Sequence, residues 1–306
     1  MTDWPLIAVR WILFADLGLL FGVPLFAAYA LRGDERARSL PLRAPTACLA
    51  ALGLAAGLIG FLLTAAAMLG TSVGEVDRET IEALLRESSL GWAFIVRSVA
   101  LVAIFMGALA LRRTAALAGI ILLGAIALAS LAWSGHGAAS EGALGGLHLA
   151  SDIAHLLAAG AWIGALVAFL FLVVGTEKRD PIGAAAVHRA LAGFATTGTV
   201  IVGVILLSGL VNSFILVGID NIAALGTTLY GQLLLTKLAL FVGMLALAAG
   251  NRFRLTPMLG SALAAGEPRS SLARLRGSLM LEAAAGIAIL ALVAWFGTLE
   301  PPSAAG

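Results

Sequence analysis

His148, Asp152 and His155 stand together in the segment HLASDIAH, at the start of a long apolar run. Their i,i+4 and i,i+3 spacings put all three on one face of a helix. Imidazole and carboxylate are metal ligands, and a divalent ion is what such a face could engage. The two imidazoles are seven residues apart, about 10 Å along a helix axis at 1.5 Å per residue. A single ion held at about 2 Å from each ligand cannot bridge that gap on one straight helix. Either neighbouring helices complete one or two sites, or the face is a stepwise path. The plainer alternative is hydrogen bonding to adjacent helices. Against it stands the cost of burying three ionisable groups in an apolar setting, where such groups usually serve function.

Other residues could join this chemistry. His136, in WSGHGAAS, precedes the same run and is flanked by glycines, so its imidazole is free to approach. His188 falls toward the opposite side and reads as a solvated surface residue. Met68, at the matching end of an earlier run, is the candidate soft ligand. Met244, Met280 and Cys48 lie mid-run or toward the other face. Four more charges interrupt apolar runs: Asp16, Arg97, Lys237 and Glu282. A buried charge needs a partner. The expected pairs join Asp152 or Asp16 to Arg97 or Lys237, and Glu282 to Arg252 or Arg254 in a structural role. The single cysteine excludes an internal disulfide and a CxxC site.

The elements that position these residues follow from composition. The chain has 306 residues, 61% of them hydrophobic and 12% charged. A water-soluble chain of this size would need an apolar surface to match those values, so the repeated runs of about twenty apolar residues are membrane-spanning helices. The 36 glycines suit helices that pack closely through small residues. The reading is an all-α polytopic membrane helix bundle of about eight spans, near 6–31, 44–70, 90–111, 115–134, 147–174, 191–217, 231–250 and 278–298. Residues 1–306 are expected to form a single transmembrane domain. The first run lacks a basic n-region and is too long for a signal peptide.

Loop charge sets the expected orientation. Arg32, Arg36, Arg38 and Arg43, then Arg112, Arg113, Lys178, Arg179 and Arg189, then Arg252, Arg254, Arg269, Arg274 and Arg276 fall on one side, 14 of the 19 basic residues. The opposite loops carry Glu75, Asp77, Glu79, Glu82, Glu87, Glu141 and Asp220 against Arg78 and Arg86. The basic side is cytoplasmic by the positive-inside rule, which puts both termini in the periplasm. Topology explains the basic residues, so no nucleic-acid partner is implied.

HLASDIAHLLAAGAWIGAL (148–166) resembles the signature segment of the copper resistance D (CopD) membrane proteins. LYGQLLLTKLALFVGMLALAAGNRFRLTP (229–257) and SLMLEAAAGIAILALVAWFGTLEPP (278–302) resemble that family's closing block: Tyr-Gly, an intramembrane Lys, Asn-Arg, Glu in the last span, then a Pro pair. The resemblance covers about the second half of the chain. It implies a bacterial inner-membrane protein of copper homeostasis that moves copper inward, often beside a periplasmic copper-binding CopC-like chaperone. No enzymatic activity and no catalytic residue is expected. Imidazole and carboxylate suit Cu(II). Copper captured by His136 and His148 and handed to His155 and Asp152 is therefore the expected entry step. Asp152 could instead fix a ligand imidazole's tautomer. No GxxxxGK[ST] motif is present, so a gradient, a potential or partner exchange would drive movement. The alternative is a haem-binding membrane redox protein using histidine ligands.

Overall fold

The computed structural model describes residues 3–31, 40–109, 114–134, 142–177 and 181–304. Among them the regular elements are helices alone. In chain order these are α1 (Trp4–Ala30), α2 (Arg43–Leu69), α3 (Arg78–Glu87), α4 (Ser89–Leu109), α5 (Thr114–Ala129), α6 (Gly142–Glu177), α7 (Pro181–Val217), α8 (Ala224–Thr227), α9 (Leu229–Gly250), α10 (Thr256–Ala264) and α11 (Arg269–Phe296). Eight of them are long and apolar enough to cross a membrane: α1, α2, α4, α5, α6, α7, α9 and α11, the seventh candidate span continuing through α10. α1 begins and α11 ends at one end of the bundle, where the rings of Trp4 and Trp295 lie 5.4 Å apart. That end is the terminal end below; the other is the arginine-rich end.

Helix starts follow local chemistry. Asp3 caps α1, accepting from Leu6 N at 3.1 Å, and a proline fills its first turn. Asp77 caps α3 by accepting from Thr80 N at 2.7 Å, and Ser72 with Glu75 forms a capping box just before it. The helix boundaries run past the expected ones: α6 starts at Gly142 rather than 147, and α7 at Pro181 rather than 191. Alanine and glycine carry the helix beyond the apolar run in both cases. Five residues, Asn251–Leu255, form a π-helical turn between α9 and α10. Pro257, which has no N–H to donate, lies two residues beyond it.

Two helices lie at the centre. α1 packs against α2, α5, α6 and α11, and α6 packs against α1, α7 and α11. Leu17, Leu20, Phe26 and Phe169 are essentially fully buried, and the Phe26 and Phe169 rings meet edge-on at 4.7 Å. Lipid supplies no hydrophobic drive between helices, so close approach must supply the attraction. The α1–α6 crossing shows how. Gly18 and Gly22 of α1 meet Gly160 and Gly164 of α6, and a Cβ on Gly164 would overlap the Gly22 backbone. The other spans expose large apolar side chains, among them Val99, Leu207, Leu210, Phe214 and Val242. These suit contact with acyl chains.

Candidate functional site on α6

α6 carries the polar face in its terminal half and holds it against α7. His148 is buried, and His155 and Asp152 are partly buried. His155 Nδ1 lies 3.0 Å from Ser208 Oγ, and Ser151 Oγ donates to the Ser208 carbonyl at 3.0 Å. Asp152 Oδ1 accepts from Asn212 Nδ2 at 3.4 Å. Ser208 and Asn212 are one turn apart on α7, so they match the period of the α6 face. Gly209 leaves room for the imidazole: a Cβ there would lie 3.5 Å from His155 Cε1.

Two cations act electrostatically on Asp152: Lys237 of α9 and Arg10 of α1. Lys237 Nζ also sits 5.4 Å from the Phe296 ring centroid, a cation–π contact. The Arg10 guanidinium rests where α11 terminates, 2.7 Å from the position of a Cβ on Gly297. Five spans thus send side chains to one region. Its formal charge is net positive, with two cations set against one carboxylate.

Arg97 does not join that region. It donates from Nη1 to Ser130 Oγ at 3.3 Å, and Asp16 lies in the same half of the bundle, against α2. Glu282 is placed differently from expectation. Its oxygens accept from Trp162 Nε1 at 3.1 Å and Asn251 Nδ2 at 2.9 Å, both neutral donors, and among the described residues no arginine pairs with it. Arg252 instead donates to Thr199 Oγ1 at 2.7 Å. The π-helical turn explains the exchange, because it turns Asn251 inward and leaves Arg252 exposed. Such turns often mark functional positions. Glu282, Asn251, Arg252 and Trp162 line one end of a largely apolar cavity of about 240 Å³ between α6, α7, α9 and α11. None of the described histidines lines it.

The remaining candidates are spread out. Met68 is 64% exposed on α2. His136 lies outside the described residues. His188 is not a freely solvated side chain: α10 folds back over α7, and a Cβ on Gly260 would lie 2.9 Å from His188 Nε2. Among the described residues, no three His, Cys, Asp or Glu side chains converge as a metal-holding group. The sequence reading passed over Ser151, Ser208 and Asn212, and took Asn251 only as part of the Asn-Arg motif. The signal for Ser208 and Asn212 was legible, as polar residues at i,i+4 in the largely apolar stretch 200–217.

The fold and site define a polytopic α-helical membrane protein with ionisable groups gathered inside the bundle. Residues 1–147 match the family described as copper resistance protein D-like, N-terminal domain, and residues 188–296 match copper resistance protein D. Over its full length the chain is 41% identical to the whole of a copper resistance protein D from Pseudomonas syringae pv. tomato. It is 27% identical, over 98% of its length, to the inner membrane protein YebZ of Escherichia coli, covering all of that protein. It is also 32% identical to the copper transport protein CutJ of Bacillus subtilis, over 96% of this chain and 52% of that one. No solved structure matches it. The chain belongs to the copper resistance protein D family.

Proposed function

We propose that this multi-pass inner-membrane protein takes copper from the periplasm through the histidine face of α6 and passes it inward. Two of its relatives are named for copper resistance and for copper transport, which supports a membrane role in copper homeostasis. The observation that carries the finer reading is the face itself. His148, Asp152 and His155 stand in the terminal half of the most enclosed span, and α7 supplies hydroxyl and amide partners to them.

The terminal end is the periplasmic end in this reading, because basic residues gather at the other. Two features favour passage over storage. The histidines are two turns apart, so each level offers few donors. Lys237 and Arg10 also oppose a resident divalent ion. Imidazoles and a carboxylate point to Cu(II) as the species captured, with His136 as the first ligand met and Met68 too exposed to take part. A periplasmic CopC-like chaperone is the matching donor, and the bilayer is the other partner. The cavity between α6, α7, α9 and α11 has no described histidine in its lining, which favours copper over the haem alternative. The eight spans act as one transmembrane unit in this proposal, joined at the α1–α6 crossing.

Copper uptake into proteoliposomes tests it, with His148→Ala, His155→Ala and His188→Ala at matched protein levels. His155→Ala should lower uptake on the order of tenfold or more, the scale expected when a metal site is disturbed. His188→Ala should leave uptake at the parent rate. Parent-like uptake in both His148→Ala and His155→Ala would sink the assignment.

A further inference from the structure

Ser208 of α7 is held by α6 at two points. Its carbonyl accepts from Ser151 Oγ at 3.0 Å, and its hydroxyl oxygen lies 3.0 Å from His155 Nδ1. Ser151 and His155 are i,i+4 on α6, so successive turns grip the same residue. Gly209 lets the edge of the ring come close. A Cβ there would lie 3.5 Å from His155 Cε1 and 3.8 Å from Nδ1.

A serine hydroxyl has one hydrogen. Ser208 donates it to the Val204 carbonyl, one turn back along α7, at 2.5 Å. Two oxygens at that distance need the hydrogen between them. Toward His155 the hydroxyl is left with lone pairs alone, so Nδ1 is the donor in this contact. The Ile205 carbonyl, 3.3 Å from Ser208 Oγ, also takes a hydrogen bond from the ring. A neutral His155 so placed carries its hydrogen on Nδ1 and its free lone pair on Nε2. Sterics agree. A metal ion about 2 Å from Nδ1, in the direction of Ser208, would come within about 1 Å of the hydroxyl oxygen.

We propose that His155 meets copper through Nε2, and that Ser208 is the positioning residue that fixes this choice by holding the Nδ1–H toward α7. The ligand role rests on the copper reading above; the position of the hydrogen does not. Asp152 takes no part in setting the ring, because its Oδ1 turns to Asn212. The substitution of hydroxyl for carboxylate has a chemical consequence. A carboxylate acceptor raises the basicity of a ligand imidazole, and a neutral hydroxyl raises it less. The weaker nitrogen donor suits a carrier that must release its ion to the next position.

Full-length, metal-free protein with 15N-labelled histidine in lipid vesicles gives the first test. At neutral pH, His155, assigned by the signals missing from His155→Ala, should show a protonated, pyrrole-type Nδ1 and an unprotonated, pyridine-type Nε2. The reverse pattern, or an even mixture, would overturn the proposal whatever copper does. The second test adds Cu(II) and reads the nitrogen remote from the metal by pulsed electron paramagnetic resonance. The remote nitrogen should be a hydrogen-bonded Nδ1–H. Ser208→Ala should change its quadrupole coupling and weaken Cu(II) binding on the order of tenfold. Ser208→Thr keeps a hydroxyl that can bond to the Val204 carbonyl, and should restore both. Parent-like coupling and affinity in Ser208→Ala would overturn the role of Ser208. The expected nitrogen pattern in a protein whose His155 never couples to Cu(II) would overturn the copper reading and the ligand role with it, and leave the Nδ1–H standing. Should Ser208→Ala fail to insert, the parent spectrum still decides.

Discussion

Asp152 and Glu282 are both carboxylates set against α6, about 15 Å apart along it by the position of Trp162, and they are stabilised in opposite ways. Asp152 has one neutral donor, Asn212, and two cations, Lys237 and Arg10. Glu282 has two neutral donors and, among the described residues, no cation. At Asp152 the charge is needed, because it offsets two positive side chains drawn from other spans. At Glu282 the acceptor geometry is needed, because it satisfies two buried N–H groups. One helix thus carries a carboxylate set against two cations near the terminal end and a carboxylate held by neutral donors deeper in.

Both sites depend on the position of α6, so the strongest way to break the comparison is to move that helix. Gly164→Leu would drive a side chain into the Gly22 backbone. The cost should reach or pass the ~3 kcal/mol upper end of ordinary overpacking. Loss of folded protein from the membrane, measured by size-exclusion after detergent extraction, is the expected result. A normally folded Gly164→Leu protein would show that the crossing is not tight.

Neutralising each carboxylate sharpens the contrast. Asp152→Asn leaves Lys237 and Arg10 without their counter-charge and should cost up to about 3–5 kcal/mol. A second substitution, Lys237→Met, should recover part of that. Glu282→Gln should cost under about 1 kcal/mol, because the Asn251 amide can rotate and present its unpartnered oxygen to the new NH2. Glu282→Ala strands Trp162 and Asn251 and should cost about 1–3 kcal/mol. Thermal unfolding in one detergent ranks the four. Equal losses for Asp152→Asn and Glu282→Gln would erase the distinction.

The smallest effect belongs to carboxylates outside the spans. Backbone hydrogen bonds from Ser72 and Thr80 hold the exposed Glu75 and Asp77 below the usual carboxylate range. Their contribution is therefore present above the ordinary pKa of about 4 and is lost as pH falls through the lowered values. Amide exchange across residues 72–87 should quicken on acidification while that of α6 stays unchanged.

Much of the architecture was legible in the residues. A span declares itself through a local run of apolar side chains, so eight spans could be counted without knowing their arrangement. The one-face placement of His148, Asp152 and His155 is likewise a property of helical period alone. The motifs of the second half carried the family.

Partner choice was not legible. Arg97 and Lys237 were equal candidates for Asp152, yet Arg97 turns to Ser130 while Lys237 and Arg10 act on Asp152. Glu282 passes over Arg252 for Trp162, 120 residues away in sequence. Which buried groups meet depends on the depth and rotation of each helix, and these are set by contacts such as Gly22 against Gly164. Sequence alone determined the spans and the face each polar residue occupies, since both follow from local periodicity. Only the tertiary structure decided which faces meet, because in a bundle that meeting is fixed by how closely whole helices can approach.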